Sequence, residues 1–277
     1  MTEPLPPGLY IVATPIGNLG DFSPRAADVL ARANLILAED KRVSARLLTG
    51  AESRPPMRTY NDHSDESDRA AVVARLASEA VALVSDAGTP LISDPGYKLV
   101  RDARAAGHAV FTVPGPCAAV AALTLAGLPT DRFLFLGFLP PKEKARAEAI
   151  AEIAAVRASL ILYESGPRLG ATLQALSQGL GEREAAVARE LTKLHEECVT
   201  GSLAELAGRY AADAPRGEIV IVVGPPAAAA PASADQLDAA LRHALETESP
   251  SRAAALVAEQ LGVKRKLAYE RALQLSG

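Results

Sequence analysis

The sequence has no tryptophan, and phenylalanine and tyrosine together make up only 4% of it. A core of its size must therefore be assembled from Ala, Val, Leu and Ile rather than from large rings. Cysteine is nearly as scarce. Cys117 and Cys198 stand far apart, which excludes a disulfide scaffold and a cysteine-rich metal module. Long apolar runs are missing too. The longest, Cys117 to Leu128, stops at Pro129; it falls short of the roughly 20 residues a membrane helix needs and reads as a buried helix. Met1 to Leu9 has neither a basic nor an apolar segment of the kind a signal peptide requires, so a cytoplasmic protein with no membrane partner is expected. Excess positive charge is absent as well. The net charge of −4 excludes a protein that coats nucleic acid indiscriminately, yet leaves room for local basic patches, because phosphate contacts act at short range in salt.

Several chemistries lack their motifs. There is no G-x-x-x-x-G-K-[ST] phosphate loop, no H-E-x-x-H, no C-x-x-C and no G-x-G-x-x-G. His195 and Cys198 make a lone H-x-x-C, and no further ligands suggest themselves, so no metal is expected. Cys117 reads as a small buried thiol rather than a nucleophile. The four histidines, His63, His108, His195 and His243, read as ordinary surface or core residues.

What is present is 277 residues, 49% of them hydrophobic and 22% charged, enough for two modest globular domains. Continuous apolar runs at Leu9–Ala13, Leu35–Ala38, Val81–Val84 and Ala109–Val113 predict buried parallel strands. Between them Pro24–Ala33, Asp65–Ser78 and Gly96–Ala106 carry apolar residues at helical spacing, giving a βαβ pattern. After Pro114-Gly115-Pro116 a second set of strands is predicted at Phe133–Phe138, Leu160–Tyr163, Ala186–Arg189 and Glu218–Val223. Helices fill Glu143–Val156 and Leu169–Leu180, the latter with Leu169, Leu173, Leu176 and Leu180 on one stripe that reads as core. The domains are thus expected at 1–116 and 117–225, both α/β. A Pro/Ala linker should cover 226–235 and a helix-turn-helix-like unit 236–277, its two short helices joined at Gly262. Lys264, Arg265 and Lys266 open the second of these, where a recognition helix would meet nucleic acid; a small helical cap with solvated charges fits the same pattern.

Ligands of parallel α/β sheets bind at the carboxyl ends of the strands, so the loops there matter most. Strand one ends in Ala13-Thr14-Pro15-Ile16-Gly17-Asn18-Leu19-Gly20, and strand two in Glu39-Asp40. The strongest local signal is Ser85-Asp86-Ala87-Gly88-Thr89-Pro90-Leu91-Ile92-Ser93-Asp94-Pro95-Gly96. Gly there admits a ligand close to the backbone, and Pro fixes the path so that amides stay aimed. Val113-Pro114-Gly115-Pro116-Cys117-Ala118 adds a second rigid loop before a helix of small residues.

Those loops, taken in order with Gly137-Phe138-Leu139-Pro140, Tyr163-Glu164-Ser165, Arg189-Glu190-Leu191-Thr192-Lys193 and Gly217-Glu218-Ile219-Val220, resemble the tetrapyrrole-methylase superfamily. Within it they resemble the RsmI family of ribosomal RNA methyltransferases. The resemblance implies an α/β, two-domain tetrapyrrole-methylase-like (class III methyltransferase) fold with a small C-terminal helical domain, forming a homodimer. It implies an enzyme that moves a methyl group from S-adenosylmethionine to the ribose 2′-hydroxyl of a cytidine in the decoding region of 16S rRNA. The partner would be small-subunit rRNA or the assembled subunit. By position the cofactor shell falls on Ile16, Gly17, Asp86, Ala87, Gly88, Thr89, Ile92, Cys117, Ala118 and Glu164. Three departures stand out: Lys41 in place of Thr, Gly166-Pro167-Arg168 in place of Pro-His-Arg, and Pro141 where Arg is frequent.

A ribose hydroxyl is a poor nucleophile until its proton begins to leave, so a base or a cation near the oxygen should help. Glu39, Asp40, Glu190 and Lys193 are the candidates, with a domain-bridging ion-pair network as their purely structural alternative. Lys142, Lys144 and Arg146, like Lys264–Lys266, are candidates to guide RNA phosphates. Competing functions are a corrin or porphyrin C-methyltransferase sharing the cofactor site, a nicotinamide-dependent oxidoreductase, and a non-catalytic ribosome-assembly factor.

Overall fold

A computed structural model describes residues 3–49, 54–61, 65–212, 214–227 and 233–276. His63 and half of the expected Pro/Ala linker, residues 228–232, lie outside the described residues. Met1–Pro226 form one compact unit and Ala227–Gly277 another.

The first sheet of the larger unit holds β1 (Gly8–Val12), β2 (Leu35–Ala38), β3 (Met57–Thr59), β4 (Ala80–Val84) and β5 (Val110–Val113) in the order β3-β2-β4-β1-β5. Every pairing is parallel. Alternation along β1 divides the core into two layers, as the two-residue period of a strand demands. Tyr10 and Val12 pack with Ala26, Val29 and Leu30 of α1 (Pro24–Arg32). Leu9 packs with Val72 of α3 (Glu66–Arg75) and with Leu99 and Ala103 of α4 (Tyr97–Ala105). A single turn, α2 (Lys41–Ser44), follows β2.

A half-buried helix, α5 (Ala118–Leu125), leads into a mixed sheet of β6 (Phe133–Phe138), β7 (Ser159–Ser165), β8 (Glu184–Arg189), β9 (Glu197–Ser202) and β10 (Glu218–Val223). The order is β6-β7-β10-β8-β9, parallel only between β6 and β7. One face is covered by α6 (Glu143–Ile153), α7 (Gly166–Leu180) and α8 (Leu203–Arg209), the other by α5. The leucine stripe of α7 is core: Leu169, Leu173 and Leu176 are fully buried. Each such side chain contributes about 1.5–3 kcal/mol through removal from water.

Among its described residues the smaller unit has three helices, α9 (Ala234–Leu245), α10 (Pro250–Leu261) and α11 (Arg265–Ser276), one more than the two-helix pattern read from the sequence. The first, α9, begins inside the stretch read as linker. Ser233 and Gln236 form a reciprocal capping box that starts the helix within alanine-rich sequence. Leu237, Leu241, Ala254, Val257, Ala268 and Ala272 make its core. Arg271 of α11 donates two bonds to the Asp238 carboxylate of α9, at 2.6 and 2.5 Å. Gly262, in the left-handed conformation, turns the chain between α10 and α11. Among the described residues no helix is long and apolar enough to cross a membrane.

Candidate active site

Four loops at the carboxyl ends of the first sheet are stitched to one another. Thr14, after β1, exchanges backbone hydrogen bonds with Gly88 at 2.8 and 3.1 Å. The Asp40 amide, after β2, donates to the Asp86 carboxylate at 3.0 Å, and the Thr89 hydroxyl donates to the Pro116 carbonyl at 2.9 Å. Buried Thr14 and Ser85 supply further bonds beneath. These loops meet β7, β10 and the 190–193 turn across a cleft of about 400 Å³.

Of the residues expected to hold a cofactor, Ile16, Asp86, Ala87, Gly88, Thr89, Ile92, Cys117, Ala118 and Glu164 all line this cleft. Gly17 lies just behind it. A β-carbon on Gly17 would come within 2.7 Å of Lys193 Cγ, so its bare backbone is what lets the first loop press against that turn. Glu164 reaches the cleft wall, but its buried carboxylate is already engaged. It accepts from the Thr172 hydroxyl at 2.6 Å and the Ser165 amide at 2.8 Å, and pairs with Arg168 at 3.3 Å. Arg168 also donates to the Leu139 carbonyl at 2.7 Å, so Glu164 ties α7 and β6 to the wall.

The four catalytic candidates separate. Glu39, Glu190 and Lys193 line the cleft, whereas Asp40 does not. Asp40 instead caps α2, accepting from the Arg42 amide at 2.8 Å. The Arg42 side chain, hydrogen-bonded to it, holds its carboxyl below the usual range. Lys193 and Glu190 pair at 3.1 Å. Gly217 makes room for that pair: with φ at 96°, it leaves open a position where a β-carbon would sit 2.3 Å from Glu190 Oε1. Lys142, Lys144 and Arg146 sit on the first turn of α6 and do not line the cleft. Lys144 faces Glu148 at 3.9 Å in solvent. In the smaller unit, Arg265 and Lys266 border a shallow depression with Ser251 and Tyr269.

Sequence reasoning missed Asp94, Tyr163 and Glu218 as cleft residues. Burial raises the Asp94 carboxyl to about 6; the Ser85 hydrogen bond opposes that rise, and Glu39, Asp86 and Glu218 reinforce it. Burial and then the Asp86 charge also raise Glu39. Burial pushes the Tyr163 phenol up, and its oxygen accepts from the Ala119 amide at 3.2 Å, at the start of α5. Its ring meets Phe135 and Phe138 edge-on. The acids leave the cleft negative, since Lys193 is the one cation among its described lining residues and Glu190 neutralises it. Such a cleft, with apolar walls at Ile92, Leu191, Ile219 and Val220, suits a cationic ligand with an apolar body.

Backbone strain is concentrated here. The positive-φ non-glycine residues among those described are Leu91 (74°), Ser93 (63°), Glu190 (51°) and Thr192 (65°). They lie in two loops on opposite sides of the cleft. Each costs of order 1–3 kcal/mol, and strain of this kind gathers where a site must be held in shape.

Of the three sequence departures, Gly166 has a structural reason. A β-carbon there would fall 1.6 Å from the Pro215 carbonyl oxygen, so the segment before β10 occupies the space a side chain would need. Lys41 and Pro141 are exposed.

Comparison with known proteins places this geometry among methylases. The profile of the tetrapyrrole (corrin/porphyrin) methylases matches residues 8–207, and that of the RsmI C-terminal HTH domain matches residues 230–276. A ribosomal RNA small subunit methyltransferase I of Erythrobacter litoralis is 57% identical over 273 residues, covering 99% of this chain and 97% of its own. Its counterpart in Mesorhizobium japonicum is 48% identical over 277 residues, covering 99% and 94%. The fold is shared with uroporphyrin-III C-methyl transferase from Thermus thermophilus in complex with S-adenyl homocysteine. That match has a TM-score of 0.53 and 20% identity, covering 78% of this chain and 96% of the other.

Proposed function

Because this chain belongs to the tetrapyrrole (corrin/porphyrin) methylase family and, within it, to the ribosomal RNA small subunit methyltransferase I family, we propose that it methylates the ribose 2′-hydroxyl of a cytidine in the decoding region of 16S rRNA, with S-adenosylmethionine as donor. The observation that carries this reading is the pairing, in one chain, of a negative cleft in a methylase fold with a helical unit that matches the RsmI C-terminal HTH domain and carries the basic cluster Lys264–Lys266. A corrin or porphyrin needs no such unit.

The cleft fits the cofactor on chemical grounds. When bound, S-adenosylmethionine supplies an activated methyl group on a positively charged sulfonium. Asp86, Glu39 and Asp94 favour that charge, and the stitched loops at Ile16, Ala87–Thr89 and Ala118 offer backbone close to a ligand. Orientation does most of the work in such a transfer. Lys193 stabilises negative charge developing on the ribose oxygen, and one of the cleft carboxylates accepts the proton. Asp40 acts through the loop it caps. Lys142, Lys144, Arg146 and Lys264–Lys266 guide phosphates, and the structured subunit presents the hydroxyl by shape.

A homodimer is supported by α5, which leaves the apolar side chains of Val120 and Leu125 exposed. The protein would act in the cytoplasm, where small subunits are assembled.

The test uses labelled S-adenosylmethionine and small subunits from cells lacking the gene, followed by digestion and mass spectrometry of the nucleosides. Label in 2′-O-methylcytidine is expected. Unlabelled RNA, with cofactor binding demonstrated, would overturn the RNA assignment and redirect attention to corrin or porphyrin substrates.

A further inference from the structure

We propose that Asp94 is the group that takes the proton from the attacking ribose hydroxyl; this rests on the 2′-O-methyltransferase reading above. The other cleft carboxylates are engaged or open to water. Glu164 is buried and spent on Thr172, Ser165 and Arg168. Glu190 is already engaged by Lys193 at 3.1 Å. Asp86 accepts from the Asp40 amide. Glu39, Asp86 and Glu218 are exposed. Asp94 remains: half-buried, lining the cleft, and without an ion-pair partner among the described contacts.

Its setting matches the task. Asp94 follows Ser93, which is held at a φ of 63° and whose hydroxyl lies against Gly137 of β6, so the residue sits where the two sheets meet. The buried Ser85 hydroxyl faces it, sharing one proton among the Asp94 carboxylate and the Ala87 and Gly88 carbonyls. The charged and titratable groups around it are Glu39 after β2, Asp86 after β4, Glu218 at the start of β10 and the Tyr163 phenol of β7. Partial burial, reinforced by the three acids among these, brings the carboxyl to about 6, near the pH at which a base must work.

In the step itself the hydroxyl O–H bond breaks toward an Asp94 oxygen while the ribose oxygen bonds to the methyl carbon. The carbon–sulfur bond breaks and leaves its electron pair on sulfur. The sulfonium charge is thereby lost, and the proton passes from Asp94 to solvent.

The experiment compares the full chain with Asp94→Asn and Ser85→Ala in single-turnover methylation of unmodified small subunits from pH 5 to 8, alongside S-adenosylhomocysteine affinity by calorimetry. For Asp94→Asn the rate should fall by about 10²–10⁴, with affinity held within about threefold and the acid limb of the profile gone. Ser85→Ala removes a hydrogen bond that favours the charged form, so its acid limb should move to higher pH. An Asp94→Asn rate within about tenfold of the parent, an unchanged acid limb, or collapsed S-adenosylhomocysteine binding would each overturn the assignment. A parent protein that labels no subunit RNA would instead remove the function on which it rests.

Discussion

Replacing Asp94 by Asn should stabilise the protein at neutral pH and leave it unchanged in acid. The carboxyl rises from its ordinary 3.8 to about 6 in the fold, so the folded chain holds this proton more tightly than the unfolded chain. A raised carboxylate contributes stability that is fully present below pH 3.8 and is lost as pH climbs through about 6. The full interval corresponds to about 3 kcal/mol. Water still reaches part of the side chain, so about 1–2 kcal/mol is the expected size. Asn is isosteric and cannot ionise, so the variant escapes this loss. Urea unfolding should be followed by far-ultraviolet circular dichroism at pH 4, 5, 6 and 7.5, since the chain has no tryptophan to report. The advantage of Asp94→Asn should be near zero at pH 4 and grow to its full size by pH 7.5. A difference that is constant across the series, or that favours the parent at pH 7.5, would refute the electrostatic account of the cleft.

Other consequences can be checked separately. Gly217→Ala drives a β-carbon toward the Glu190 carboxylate at a backbone angle that resists it, so the Lys193 pair should break. Methyl transfer is then expected to fall at least about tenfold, measured with the same subunit assay. Leu173→Ala opens the α7 core and should lower stability by about 2–5 kcal/mol in thermal unfolding, because Leu173 is fully buried. Thr172→Val leaves the buried Glu164 carboxylate short of one donor and should cost about 1–3 kcal/mol by denaturant titration. Replacing Lys264, Arg265 and Lys266 together by Ala should weaken subunit binding and flatten its salt dependence, while S-adenosylhomocysteine affinity stays put; an unchanged salt slope would make these residues ordinary solvated charges.

The first sheet was legible because its strands are buried on both faces and read as unbroken apolar runs, with helices of 3.6-residue period between them. β3 and β9 were not. Met57–Thr59 is a short edge, and Glu197–Ser202 mixes polar residues on a half-exposed edge, so neither presents an apolar run. In the cleft, the resemblance found the loops and most of their lining residues, whereas the residue pattern alone did not separate the carboxylates that turn inward from those that do not. Glu39 and Asp40 are neighbours at the end of a strand, where successive side chains point oppositely. One faces the cleft and the other caps α2. Asp94 stood within the recognised loop with Asp86, yet its importance depends on burial and on Glu39 and Glu218, brought from β2 and β10, which no local window contains. Glu164 shows the converse. Its motif marks it as functional, while two hydrogen-bonded partners and the Arg168 ion pair give it a bracing role.

The bonds between Thr14 and Gly88, Asp40 and Asp86, and Thr89 and Pro116 also constrain chain length. Surface loops usually absorb insertions at little thermodynamic cost. Here each loop carries a knot tied to another, so lengthening one by a residue would pull its bonding group out of reach and unseat its neighbour. Deletions and insertions among related chains should therefore collect on the opposite rim of the sheet, in connections such as Ala33–Asn34 and 106–109, where helices return to strands. On the cleft side the four loops can vary in side chain but must keep their count, as the teeth of meshed gears must.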